Sequence, residues 1–185
     1  MAFNISDEQN LLLHNDRIIW QFPMYWYSSP AILKKWEDDV LTNRFVFGNF
    51  NNKSSLENKS LGLVVNTGES YNQYKINGRE GFSVLEILRP YQLVAKRLKM
   101  SYLDPFVFYK FEYMSDIDQQ KLYINYQQYL TMKFPNSFSQ KATWLANKLK
   151  KVNINDKLKF DLQNILLQNK IRLDDLRSMI NNIQQ

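Results

Sequence analysis

The chain has 185 residues, 44% hydrophobic and 15% aromatic, enough apolar mass for one domain with a core and a small appendage. It has no cysteine, which excludes disulfides, thiol nucleophiles and Cys-ligated metal sites and fits a cytoplasmic location. Of the net charge of +6, the segment from Ser137 to Gln185 carries nine Lys/Arg and four Asp; the rest is nearly neutral, and no nucleic-acid motif accompanies the basic tail. No apolar run approaches the roughly 20 residues of a membrane span. Met1 to Glu8 lacks the basic and apolar regions of a signal peptide.

In chain order, Ser6-Asp7-Glu8-Gln9 predicts a capping box, with Ser6 as N-cap and Gln9 at N3, opening a short helix through Leu11, Leu12 and Leu13. Arg17-Ile18-Ile19-Trp20-Gln21-Phe22 stops at Pro23 and suits a buried parallel strand. Pro30 fits the first turn of a helix whose inner face is Ile32, Leu33, Trp36 and Val40. Leu61-Gly62-Leu63-Val64-Val65 is a second strand, ending at Asn66-Thr67-Gly68. A helical pattern runs from Val84 to Met100 and should break after Arg89, before Pro90. Phe106-Val107-Phe108-Tyr109 is a third strand, and Ser115 caps a helix reaching about Met132.

Such alternation predicts an α/β fold with a parallel sheet, helices on both faces and right-handed crossovers. Ligands in these folds bind beyond the C-terminal strand ends, so the loops after Phe22, Val65 and Phe111 carry the function. Past Pro135 the composition turns to Asn, Gln, Lys and Leu. Leu145 and Leu149, then Leu158, Leu162, Ile165 and Leu166, then Leu173, Leu176, Ile180 and Ile183 mark two or three short amphipathic helices. The expected division is residues 1–135 as the α/β domain and 136–185 as a basic helical extension.

The chemistry-bearing segment is Pro23-Met24-Tyr25-Trp26-Tyr27-Ser28-Ser29-Pro30. A turn at a strand end presents backbone N–H groups, and three consecutive aromatics supply flat surface, a combination that cradles a planar heteroaromatic ring. The competing reading is an aromatic loop packed into core. His14, the lone histidine, reads as a solvated helix end. Glu37, Asp38 and Asp39 read as a solvated helix face and Arg89 as a helix-end cation. There is no metal-ligand cluster and no glycine-rich phosphate loop.

The run Phe22 to Trp36, then Phe45-Val46-Phe47-Gly48, Leu61 to Gly68, Tyr74, Gly78, Leu88-Arg89-Pro90 and Pro105-Phe106 resembles, in that order, the flavodoxin-like NAD(P)H:quinone oxidoreductases. That group includes the drug-activity modulators and the ancillary oxidoreductases of potassium-efflux systems. The resemblance covers about residues 3 to 134. It implies a flavodoxin-like sheet that binds FAD or FMN and reduces quinones by hydride transfer from NAD(P)H. It further implies a homodimer in which Phe47 serves the partner's site; the added basic helices are expected to serve oligomerisation or docking to an acidic partner such as a membrane transporter's cytosolic domain, against the plain reading of a solvated extension.

By the same resemblance, Pro23, Met24, Tyr25, Trp26 and Tyr27 lie along the flavin ring and Asn66, Thr67 and Gly68 meet its pyrimidine side. Tyr74 stabilises charge on the reduced ring. Trp26 and Tyr27 shape the acceptor pocket. Two positions depart from the pattern. Glu69 stands where relatives often have glycine, crowding the ring and opposing its negative charge. Glu80 stands where some relatives have the histidine that accompanies the tyrosine. Relatives also begin with a strand, a phosphate-binding loop with its helix, and a second strand. This chain is expected to be truncated ahead of these, leaving Arg17–Phe22 as a sheet edge and weakening flavin affinity. The alternative expectation is a catalytically impaired interaction or regulatory protein.

Overall fold

The computed structural model describes residues 3–48, 54–132, 137–151 and 155–183. Two compact units divide the chain, Met1–Leu122 and Tyr123–Gln185. The expected boundary at 135/136 lies outside the described residues.

The first unit is built on parallel strands β1 (Arg17–Pro23), β2 (Ser60–Thr67), β3 (Ser101–Tyr102) and β4 (Phe106–Tyr109). β2 is central. It pairs with β1 from Arg17↔Ser60 to Pro23↔Asn66, and on its other side with β3 and then β4, from Val64↔Phe106 to Thr67↔Tyr109. Leu61 to Val65 are all buried, so both faces of β2 are covered, as in a parallel sheet between helices. β3 escapes sequence reading because two residues carry no periodicity.

Helix α1 (Ile5–His14) starts one residue before the expected cap. Asn4 is the N-cap, its side chain accepting from the Asp7 amide, so Ser6 is not. Gln9 does not turn back to cap α1. Its Nε2 donates to the carbonyl of Val40, 2.9 Å away, at the end of α2 (Ala31–Val40). Trp36 Nε1 likewise donates to Glu8 Oε2 at 2.9 Å, so the two helices hold each other's polar groups. Pro30 is the N-cap residue of α2, one position earlier than expected. The inner face of α2 is Leu33, Trp36 and Val40. Ile32 was expected there but is 48% exposed, lining an apolar groove along β1 with Leu11, Ile18 and Trp20. That groove borders the edge of β1 that faces away from β2, where no strand pairs among the described residues.

A short α3 (Asn43–Phe47), capped by Thr42, precedes β2; Phe47 packs on its own core beneath the Arg97 guanidinium, 4.9 Å from the ring centre. The Val84–Met100 pattern forms two helices, α4 (Val84–Ile87) and α5 (Arg89–Arg97), joined at Leu88. The break therefore falls before Arg89. Pro90 occupies the first turn of α5, where its missing N–H costs no hydrogen bond. Ser83 and Glu86 form a reciprocal capping box on α4. α6 (Asp116–Thr131) is capped by Ser115, whose Oγ accepts from Asp118 N at 3.2 Å. The core joins Leu61, Leu63 and Val65 of β2 to Trp20 and Phe22 of β1 and to Val40, Leu88, Tyr91 and Ala95 of the helices. Trp20 packs edge-on to Trp36 and Tyr91, with ring centres 5.9 and 6.0 Å away.

The second unit contains α7 (Phe138–Leu149) and α8 (Asp156–Ile183). Of the two or three short helices expected in the tail there are two, and α8 is long, 28 residues, joining the Leu158–Leu166 and Leu173–Ile183 patterns. Neither Gly nor Pro interrupts it, so nothing local stops propagation. Ala142 and Ala146 are buried, and Leu145 and Leu149 half-buried, on the inner face of α7. The side chains of Ile180 and Ile183 lie outside the described residues.

Candidate functional site at the C-terminal strand ends

Parallel pairing puts the ends of β1, β2 and β4 level with one another, so the loops from Pro23, Thr67 and Tyr109 emerge side by side. They are stitched at the base: Met24 N donates to Asn66 O at 2.8 Å and Lys110 N to Thr67 O at 2.9 Å.

The first loop folds at once into a two-residue reversal. Tyr25 and Ser28 exchange both backbone hydrogen bonds, at 2.9 and 3.0 Å. Between them Trp26 (φ 47°) and Tyr27 (φ 63°) both occupy the left-handed region. Positive φ at both central positions is the mark of a type I′ turn, which favours Asn-Gly and penalises bulky side chains. Two aromatics here are strained, and strain of this kind concentrates at functional sites. Trp26 is 93% exposed, so packing does not explain it. The competing expectation of an aromatic loop filling the core fails for Tyr25, Trp26 and Tyr27, all exposed, and holds only for Met24, which packs against the core.

The amides of this loop are mostly committed within the protein. Met24, Tyr25 and Ser28 donate to backbone carbonyls, and Ser29 N donates to Tyr91 Oη at 3.0 Å. The amides of Trp26 and Tyr27 meet no acceptor among the described residues, so the turn offers two outward donors rather than a full cradle.

At the end of β2, which extends past the expected Val65 to Thr67, Thr67 is buried and its Oγ1 donates to Glu69 O at 2.8 Å. Asn66 Oδ1, beside Pro23 in the register, is buried and accepts no hydrogen bond. A buried acceptor without a donor costs free energy, about 1–3 kcal/mol, unless something supplies the donor. Gly68 faces open space: a Cβ there would meet nothing within 4 Å. Gly68 is thus open where the neighbouring Asn66 oxygen is enclosed.

A third element, residues 71–81, closes over these two. Gly78 makes it possible, because a Cβ at 78 would stand 2.3 Å from the carbonyl oxygen of Gln73. Glu80 N donates to that same carbonyl at 3.1 Å. The Glu80 carboxylate then receives Tyr27 Oη at 2.8 Å and Arg79 Nη2 at 2.6 Å, and Arg79 Nη2 also reaches Glu69 Oε1 at 3.1 Å. Arg79 thus ties this segment to Glu69, and Glu80 ties it to Tyr27 of the first loop.

The electrostatics follow. Arg79, and then the Tyr27 hydroxyl, hold the Glu80 carboxyl below the ordinary carboxylate range. The Tyr27 hydroxyl is pushed up, chiefly because it donates to Glu80. Tyr74 is buried, its ring against Tyr109 at 6.3 Å between centres. Burial first, then the Glu80 charge, raise its pKa and keep it a hydrogen-bond donor. The structure therefore places Tyr25, Trp26 and Tyr27 in the turn after β1, Asn66, Thr67 and Gly68 at the end of β2, and Tyr27 and Tyr74 near the Glu80 carboxylate. Sequence reading misses the Arg79–Glu69–Glu80 bridge. Its signal is the charged pair Arg79-Glu80 after Gly78, with Glu69 ten residues before Arg79; Glu69 and Glu80 read in the sequence only as departures from the pattern.

A family model described as a flavodoxin-like fold matches residues 1–131. The chain belongs to this flavodoxin-like family. Among curated relatives it is 43% identical over 117 residues to general stress protein 14 of Bacillus subtilis, across 63% of this chain and 66% of that protein. Among solved structures it is similar to an NADPH-quinone reductase from P. pentosaceus, with 43% identity, TM-score 0.68, and 72% and 77% of the two chains covered. It is also similar to general stress protein 14 of Treponema denticola in complex with FMN. The identity there is 33% and the TM-score 0.60, with 70% and 71% covered. The chain thus spans just under two thirds of the B. subtilis relative's length. Among the described residues, no helix is long and apolar enough to cross a membrane.

Proposed function

We propose that the chain is a flavoprotein oxidoreductase that holds FMN or FAD between the turn at Tyr25–Ser28 and the Asn66–Glu69 loop. The single observation that carries this is the buried, donorless Asn66 Oδ1, two residues before the open position at Gly68. The likeness to an FMN-bound relative and to an NADPH-quinone reductase supports it. A bound flavin supplies the redox chemistry, accepting hydride from NAD(P)H and passing two electrons to a quinone-like acceptor.

The chain's own residues bind and orient. Asn66 Oδ1 accepts from a ring N–H, and the free amides of Trp26 and Tyr27 donate toward ring carbonyls. Tyr74, held protonated, donates to negative charge that develops on the ring. Arg79 pairs with both Glu69 and Glu80 and offsets one of their two charges, which otherwise oppose that charge in full. Exposed Trp26 and Tyr27 form the wall against which a flat acceptor stacks. A cytoplasmic homodimer and docking to a transporter's cytosolic domain belong to the same proposal, on the strength of the sequence resemblance.

The two carboxylates also favour a second reading, an interaction or regulatory protein that has lost turnover. Consumption of NADPH and of NADH by the purified chain with a soluble quinone, with FMN or FAD added, separates the two. Quinone-dependent consumption that Tyr74→Phe lowers several-fold supports the enzyme. A folded chain with no consumption under either flavin supports the second reading.

A further inference from the structure

The longest helix is the least covered. α8 contacts α7 along one flank, where Lys159, Gln163, Leu166 and Lys170 are half-buried and Gln163 Nε2 donates to Ala146 O at 3.2 Å. Beside that flank runs a second stripe: Leu158, Leu162, Ile165, Asn169, Leu173 and Leu176, spaced 4-3-4-4-3. Leu158, Ile165 and Leu176 of this stripe are more than half exposed, and Leu162 and Leu173 are 36% exposed. With Met179, also exposed, the stripe extends over about three heptads, the length at which such a pattern argues for helix pairing. Its one polar member, Asn169, sits near the middle, as in paired helices whose register a single polar residue fixes.

We propose that this stripe is a self-association surface, and that its occupant is the α8 of a second copy, packed antiparallel. The charges select that partner and that direction. On the flank away from α7 stand Lys157, Asp161, Arg172 and Asp175, all exposed, and neither Asp161 nor Arg172 makes an ion pair among the described residues. The sequence plus, minus, plus, minus becomes its own complement when reversed. With the two-fold axis at about residue 167, Leu158 lies level with Leu176 of the second copy and Ile165 with Asn169. Asp161 then lies within one residue of Arg172, and Lys157 within two of Asp175. An antiparallel pair brings like flanks together, so the charged flanks meet on one side. The two α7 helices line the other, and two helical hairpins close into a four-helix bundle. A parallel pair instead sets each charged flank against a flank that α7 already occupies. The surface belongs to the second unit and does not depend on the flavin reading.

The test is light-scattering mass of the full chain over a concentration series, with far-UV circular dichroism to confirm folding. Leu162→Asp with Ile165→Asp should at least halve the mass. Asp161→Arg and Arg172→Asp should each weaken association about tenfold, since each sets like charges together at two symmetric places. An equimolar mixture of those two variants should restore it, because every pair is then opposite in sign. A wild-type mass equal to that of the double Asp variant overturns the proposal, as does a mixture that fails to recover.

Discussion

Trp26→Asn should make the protein more stable and a poorer flavin binder. Trp26 lies at φ 47° in a turn where Asn is among the favoured residues. Its side chain is 93% exposed, so truncating it uncovers almost no buried surface. A bulky residue in the left-handed region costs about 1–2 kcal/mol, most of which Asn avoids because its short polar side chain bonds locally. The expected gain is about 1 kcal/mol, or roughly 3 °C in Tm for a chain of this length. Urea denaturation should show the midpoint moving up with an unchanged slope. Removing the aromatic wall should meanwhile weaken FMN binding roughly fivefold, from a stacking contribution of about 1 kcal/mol. A variant destabilised by 1 kcal/mol or more would show that the indole makes contacts absent from this structure. Unchanged FMN affinity would remove Trp26 from the site.

Leu63→Ala, on central β2 and fully buried, should cost about 3 kcal/mol and lower Tm by roughly 10 °C in a thermal melt; a drop under 3 °C would contradict a core centred on β2. Arg79→Ala leaves Glu69 and Glu80 without their shared counter-charge. FMN affinity should fall about tenfold, and Glu80→Gln in the same chain should recover part of it. Glu80 titrates below its unfolded value near 4.3, so its hold on the loops is complete above that value and is lost as pH falls through the folded one. Tyr27, raised above its usual value near 10, donates up to that pH and releases as pH rises further. Near-UV circular dichroism should therefore be flat from about pH 5 to 9 and change at both ends, and Glu80→Gln should abolish the acid change.

The framework was legible wherever burial sets the pattern. The apolar runs at Arg17–Phe22 and Leu61–Val65 are strands because a parallel sheet covers both faces. The caps were less legible. Ser6 and Gln9 satisfy the local capping rule, yet Asn4 caps the helix and Gln9 serves Val40, 31 positions away. A long-range partner of that kind has no local signature. Pro90 marked the right place but the wrong side of the joint, since a proline ends one helix by starting the next. Near the strand ends, the motifs marked where β1 and β2 stop to within two residues, at Pro23 and Thr67. The left-handed turn at Trp26–Tyr27 was not legible, because its sequence lacks the Asn-Gly that normally announces it. Nor was the Arg79 bridge, which exists only once three loops converge.

The most direct test of the central claim is an FMN titration of the purified chain beside Asn66→Leu, followed by flavin fluorescence quenching. Leu fills similar space but cannot accept a hydrogen bond, so an isoalloxazine ring donor left unpaired should weaken binding about tenfold or more with folding unchanged. Saturable binding by the parent chain and its loss in Asn66→Leu is the expected result. No binding by the folded parent, or equal binding by both, would contradict a flavin held against Asn66.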